Sequence, residues 1–215
     1  MEAFAKKVAG RYPGRAEQIR KRIQLELASE TIQTEADELI RLASEDETQV
    51  AVIGAASLGV SRMAPYAGWA ELFARFEADW ADLKRVVGYK KVERVGVRYI
   101  NRIDLPMDDS GRVEHEDYLN LHINLPKDFP DLTNYLMAMD FNLIDVDCSC
   151  HVITGPIPPA IIGSVSFLLD IDVFRTDNLP QKDGSIAELL QTIRAKKNNL
   201  FETFVTDKCR ELFGC

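Results

Sequence analysis

Three arginines four residues apart, Arg94, Arg98 and Arg102, have the types and spacing best suited to chemistry in this chain. They lie in the run 92–106, which alternates strictly and therefore reads as a strand with one wet and one dry face. Val95, Val97, Tyr99, Asn101, Ile103 and Leu105 point one way. Arg94, Arg98, Arg102 and Asp104 point the other, with Gly96 and Ile100 between them. A ladder of guanidinium forks on one face can hold a polyanion, because each fork binds phosphate or carboxylate oxygens bidentately. Asp170 and Asp172 add two carboxylates on one face of a later strand, ~7 Å apart by strand rise. That spacing suits a divalent cation. Together the two sets describe a site for a phosphate-bearing small molecule. The plainer alternative, which is favoured, pairs the arginines across strands with Asp170 and Asp172. Like-signed rungs on a sheet need counter-charges close by. His122 completes the candidate ligand-binding set, on the polar face of its own alternating run. As a general base it would need a carboxylate or nucleophile beside it, and the sequence names none.

Other constellations are weaker. Cys148, Cys150 and His151 suggest a metal, but alternation puts the cysteines on one strand face and His151 on the other. Zinc takes about four convergent ligands, and Cys209 and Cys215 are remote in sequence. Buried, small, apolar cysteines are the expected outcome, so neither a metal nor a cofactor is expected. The LDID run at 169–172 looks like the nucleophile strand of haloacid-dehalogenase phosphatases. That motif opens a large α/β domain, whereas about one helix follows it here, so the likeness is set aside.

The chain has 215 residues, 28% charged and 46% hydrophobic, with a net charge of −8 and a pI near 5.0. The length suits one substantial core, hence one domain over 1–215. The acidic balance argues against a general nucleic-acid binder, which needs a basic footprint. The start, MEAFAKK, lacks the apolar core of a signal peptide. The most apolar run, 160–171, is too short and too interrupted to span a bilayer. Four cysteines in this length make no disulfide scaffold, so a reducing cytoplasm is expected, with no membrane association.

The remaining elements must position these groups. Residues 2–11 read as a helix ended by Tyr12-Pro13-Gly14. Residues 22–28 read as a strand and 29–37 as a polar loop. The runs 38–43, 48–53 and 57–63 form a meander of short strands. From 68 to 87 the period becomes helical. Trp69, Leu72, Phe73, Phe76, Trp80, Leu83 and Val87 fall on one stripe. The expected partner of that stripe is the dry face of 92–106, making Trp69, Phe73, Phe76, Trp80 and Tyr99 core residues. Asn101, an amide on the same dry face, must find a partner or cost about 1–3 kcal/mol. It should tie its strand to a helix end or a turn. Residues 117–125, 144–154 and 162–175 read as further strands and 131–139 as a short helix. A last helix should run from a capping box at Ser185 and Glu188 to Gly214. The expected fold is α+β, an antiparallel sheet with two long helices on one face. A hairpin followed by a long helix occurs twice, at 48–87 and 145–204, as a duplicated unit would.

Four pieces of sequence carry a family resemblance. They are Pro65-Tyr66 with Gly68-Trp69 and Phe73; the R-x-G-x-R-Y-I-N strand at 94–101; the L-D-I-D-V-F strand at 169–174; and Phe201-Glu202 with Thr206-Asp207 and Phe213. In this combination the chain resembles a sporadically distributed family of uncharacterised bacterial proteins, from about Tyr12 onward. The family brings no activity, cofactor or catalytic residue with it. Its patchy distribution implies mobile loci such as defence or toxin–antitoxin systems. Its members begin with an extra apolar strand before the first helix, which is missing here and would leave a sheet edge open. The expectation is a binding protein that engages another protein, or itself as a homodimer through an edge strand. The competing class is an enzyme or sensor for an anionic, phosphate-bearing small molecule.

Overall fold

The period-2 segments build two four-stranded antiparallel sheets, and a long helix follows each in the chain. The architecture is α+β. The structure is a computed structural model describing residues 1–26, 31–108, 111, 113–126, 128, 132 and 134–214, with backbone alone at 22–26 and 31–35. The chain was read above as one domain around one sheet. It divides instead into two compact units, Met1–Lys90 and Lys91–Cys215, each with its own sheet.

The first unit opens with α1 (Glu2–Val8), whose Phe4, Ala5 and Val8 are buried. A meander follows in chain order: β1 (Gly14–Glu26), β2 (Thr31–Ala43), β3 (Gln49–Gly54) and β4 (Leu58–Arg62). β1 and β2 pair from Gly14↔Ala43 to Glu26↔Thr31, whereas β3 reaches β2 only over 39–43. The hairpin therefore runs past the sheet as a two-stranded ribbon. The strand expected at 22–28 is seen over 22–26 as the end of β1, and the segment expected as loop at 29–37 enters β2 at Thr31, while 27–30 lie outside the described residues. Ile40, Leu42, Ala51 and Ile53 pack under Phe4, Ala5, Val8 and Tyr12. α2 (Trp69–Val87) lies on α1 and β4, with Leu83 against the same core.

The buried residues of α2 are Asp79 and Asp82. Arg11 donates to Asp79 (Nη2–Oδ1 2.7 Å) and to Asp82 (Nη2–Oδ2 2.7 Å), and the Tyr12 hydroxyl donates to Asp79. Hydrogen bonds from Arg11 hold Asp82 below the usual carboxylate range despite burial. Burial and the bond to Asp79 raise the Tyr12 phenol above its ordinary value. Trp69, Phe73, Phe76 and Trp80 follow one another at centroid spacings of 5.4, 6.3 and 6.4 Å, each half-buried. The helical period was read correctly, but the face buried beneath α2 is the ion-paired one.

The second unit contains β5 (Val95–Pro106), β6 (Met137–Leu143), β7 (Cys148–Ile157) and β8 (Ser164–Arg175), in the spatial order β5-β8-β7-β6. β5 pairs with β8 over its whole length, from Val95↔Arg175 to Pro106↔Ser164. The dry face of β5, assigned above to the aromatic stripe, is covered by α3 (Asp183–Phe204), which packs on β5 and β8. Ile186, Leu189, Leu190, Ile193 and Phe204 are its buried apolar residues. The hairpin-then-helix order recurs as β3-β4-α2 and β7-β8-α3. The sheets around it differ, since the first strand of the second unit lies beside its last.

Several expectations are corrected in this unit. Residues 117–125 form no strand: a short 3-10 turn at His115–Asp117 leads to one bridge, Leu119↔Val205. The helix expected at 131–139 is absent where described, and from Met137 the chain is β6, while 131 and 133 lie outside the described residues. Met and Ala favour helices in isolation, but pairing with β7 overrides that preference. The strand expected at 144–154 starts at Cys148, after a 3-10 turn at Ile144–Val146, and extends through Ile157. Ser185 caps nothing, because α3 begins two residues earlier with Lys182 at its N-cap. α3 stops at Phe204, and a separate α4 (Asp207–Leu212) is capped by Thr206, whose hydroxyl accepts from the Cys209 amide at 3.2 Å. Among the described residues no helix is long and apolar enough to cross a membrane.

Candidate functional site

β5 and β8 place the arginines and aspartates of the sequence reading on one sheet face. Their register sets Arg98 opposite Asp172, and Ile100 opposite Asp170. β7 and β6 continue the row, with His151 opposite Asp172 and Asp140 opposite His151. A single line of polar side chains, Arg98, Asp172, His151 and Asp140, therefore crosses all four strands.

The bonds run mostly along diagonals. Arg98 forks onto Asp170, with Nε 2.8 Å from Oδ1 and Nη2 bonded to Oδ2. Asp170 is 5% exposed, so this carboxylate is shielded while the guanidinium above it stays half open. The bond to Asp170 raises the Arg98 pKa above its ordinary value. Arg94 donates to Asp172 at 2.8 Å and lies over the Phe174 ring, 4.3 Å from its centroid. Arg102 donates to Asp104 at 2.9 Å, to the Ser166 hydroxyl at 2.9 Å and to the Pro158 carbonyl at 3.1 Å. Ser166 donates in turn to Asp104, and these two bonds hold the Asp104 carboxyl below the usual range, Ser166 contributing most. His151 Nδ1 lies 2.7 Å from Asp140 Oδ1.

Each of the three guanidiniums thus has a carboxylate partner within its own sheet. The face also lies apart from two clefts found in this unit. One, of about 270 Å³, is lined by Asn142, Asp147, Ser149 and Arg175 among others. The second, of about 490 Å³, is lined by Lys91, Glu93, Asp177 and Gln181 among others. None of the ladder arginines borders either one.

His122 is not brought to this row. Its ring lies 6.4 Å from that of His115, which stacks on Phe167, a residue of the opposite face. The His115 imidazole is held below its ordinary pKa by burial, and its Nε2 has no partner among the described residues. Cys148, Cys150 and Cys209 are buried free thiols, and burial pushes Cys150 and Cys209 up to about 11. Among the described residues no group of three or more His, Cys, Asp or Glu is placed to hold a metal.

On the dry face, the Asn101 amide donates to the Leu169 carbonyl at 2.9 Å. It therefore ties β5 to β8, where a helix end or turn was expected. Lys197 of α3 puts its ammonium 3.5 Å from the Tyr99 ring centroid while only 4% exposed. Burial, then the Arg194 charge, lowers its pKa to about 8. The sequence reading put Asp104 on the wet face of its strand but counted none of Asp104, Ser166, His151 and Asp140 among the candidate site residues. Strand alternation does place the first three there, whereas Asp140 fell between the helix expected at 131–139 and the strand expected at 144–154. No protein-family model, curated protein or solved structure matches the chain.

Proposed function

We propose that the protein is a non-enzymatic binding module that engages another protein, a second copy of itself included. The observation that carries this reading is the internal neutralisation of the arginine ladder. A phosphate-bearing ligand would have to compete with Asp170, Asp172 and Asp104 for guanidiniums that are already hydrogen-bonded. The ladder instead stiffens β5, a long strand at the sheet edge, and edge strands are the surfaces to which other chains add. The free thiols suit a reducing cytoplasm. The R-x-G-x-R-Y-I-N resemblance suits a bacterial protein of a mobile defence locus. The alternative is an enzyme or sensor that holds an anionic, phosphate-bearing molecule on Arg94, Arg98 and Arg102, with a cation at Asp170 and Asp172. It is favoured by the half-open guanidiniums above those carboxylates.

The test is calorimetric titration of inorganic triphosphate and ATP into the full chain, with and without magnesium. The binding-module reading expects no saturable heat. Saturable binding at micromolar concentration that Arg98→Ala abolishes, in a folded protein, would replace it with the anion-site reading.

A further inference from the structure

We infer that β5 pairs antiparallel with β5 of a second copy, in the register that sets Asn101 opposite Asn101. The inference rests on the protein-binding reading above and names the partner and the surface.

β5 is the strand in this fold that suits such an addition. It is twelve residues long, stands at one end of the sheet, and among the described residues pairs with β8 alone. Natural edges are blunted by short length, by proline or by charge. β4 is five residues long and β6 seven, so both are short. β1 is long but carries charge at Arg15, Glu17, Arg20 and Lys21, on both of its faces. β5 keeps its charge on one face, the other carrying Val95, Val97, Ile103 and Leu105 around Tyr99 and Asn101, and it has no proline before Pro106.

The sequence of β5 selects one register. A continuous two-fold sheet requires residues of like facing to meet, so the axis must pass through a residue. With the axis at Ile100, Arg98 meets Arg102 twice, and like charges directly opposite destabilise a pair. With the axis at Tyr99, the Arg94–Asp104 match is gained, but strand overlap shrinks to 95–103. With the axis at Asn101, Arg98 of each copy meets Asp104 of the other, Val97 meets Leu105 and Tyr99 meets Ile103. This register keeps 96–106 paired, matches charge on the wet side and matches apolar groups on the dry side. It also sets Ile100 opposite Arg102. Ile100 is 64% exposed on the face that otherwise carries charge, and the partner strand would cover it beside the Arg102 stem.

Ile100 is not itself a member of the ladder's ion pairs, and since its partner within the sheet is Asp170, the thermal melt of each variant reports any cost to the Arg98–Asp170 pair separately from the Kd. The experiment is sedimentation equilibrium of the full chain, wild type, Ile100→Lys and Ile100→Glu, with a thermal melt of each to confirm folding. Wild type should be a dimer. Ile100→Lys places a cation against Arg102 at two symmetric positions and should raise the dimer Kd roughly tenfold. Ile100→Glu should lower it, and added salt should weaken that gain. A wild type that is monomeric throughout, or a Kd unmoved by either substitution, overturns the pairing. Weakening by both overturns the register, because an axis at Ile100 would set Glu against Glu. All these outcomes leave the protein-partner reading standing, since only the triphosphate titration reaches it.

Discussion

Lys197 is the residue whose energetics are most open to measurement. Its ammonium is buried against Tyr99, and its pKa falls from 10.5 to about 8. A lysine whose folded pKa is depressed costs stability fully below that pKa. The cost fades as pH climbs from the folded value to the unfolded one, because there only the unfolded chain still holds the proton. Lys197→Met should therefore stabilise the protein at pH 7 by about 1–3 kcal/mol, the cation–π contact with Tyr99 offsetting part of the burial penalty. The gain should shrink between pH 8 and pH 10.5. Urea denaturation across that range checks both. A loss of stability at pH 7 would show that the ammonium is a net asset to the fold. Nothing in the amino-acid pattern marked this lysine, since its helix reads as amphipathic with Lys197 among its polar positions. Asn101, by contrast, stood out as an amide on an apolar strand face. That it needed a partner was legible, and that the partner is the Leu169 carbonyl was not, because β5–β8 pairing is non-local.

At the scale of elements, α1 and α2 are locked by Arg11, Tyr12, Asp79 and Asp82. Asp79 is fully buried and Asp82 nearly so. Arg11→Met would strand the Asp79 carboxylate with Tyr12 as its remaining donor, and removing one partner of a buried pair costs about 3–5 kcal/mol. Part of Arg11 is solvent-exposed, so the expected loss is near 3 kcal/mol, read as a lowered urea midpoint with an unchanged slope. The depressed Asp82 pKa contributes stability above the ordinary carboxylate range, and that stability is lost as pH falls through the lower folded value. Half-buried Trp80 should cost less on truncation than a core tryptophan, about 1–2 kcal/mol. Periodicity made α2, β5 and β8 legible almost to the residue. It failed at β6, where Met137, Ala138 and Met139 read as helix formers. It failed again at 117–125, where alternation without a neighbouring strand yields one bridge. Amphipathic pattern also misled at α2, because aromatic residues marked a stripe while the buried side was chosen by Arg11, 68 residues away in sequence from Asp79.

For the whole molecule, the α+β class and antiparallel pairing follow from strand alternation and the tight turns between neighbours. The division into two units was not legible, because 88–94 carries no glycine- or proline-rich linker and β5 presented an apolar face that α2 could have covered. The fragment Lys91–Cys215 contains a complete sheet and the helix that covers it, so it should fold alone, with a cooperative melt and a mixed α/β circular dichroism spectrum. A fragment without a thermal transition would show that the second unit depends on the first. The central claim is that the edge of β5 is where this protein meets a partner chain. Amide hydrogen exchange of the full chain at about 1 µM and about 100 µM reads that edge directly. The account expects peptides covering 95–106 to be strongly slowed at the higher concentration while those of β4 and β6 stay unchanged. Exchange across 95–106 that is independent of concentration would contradict it.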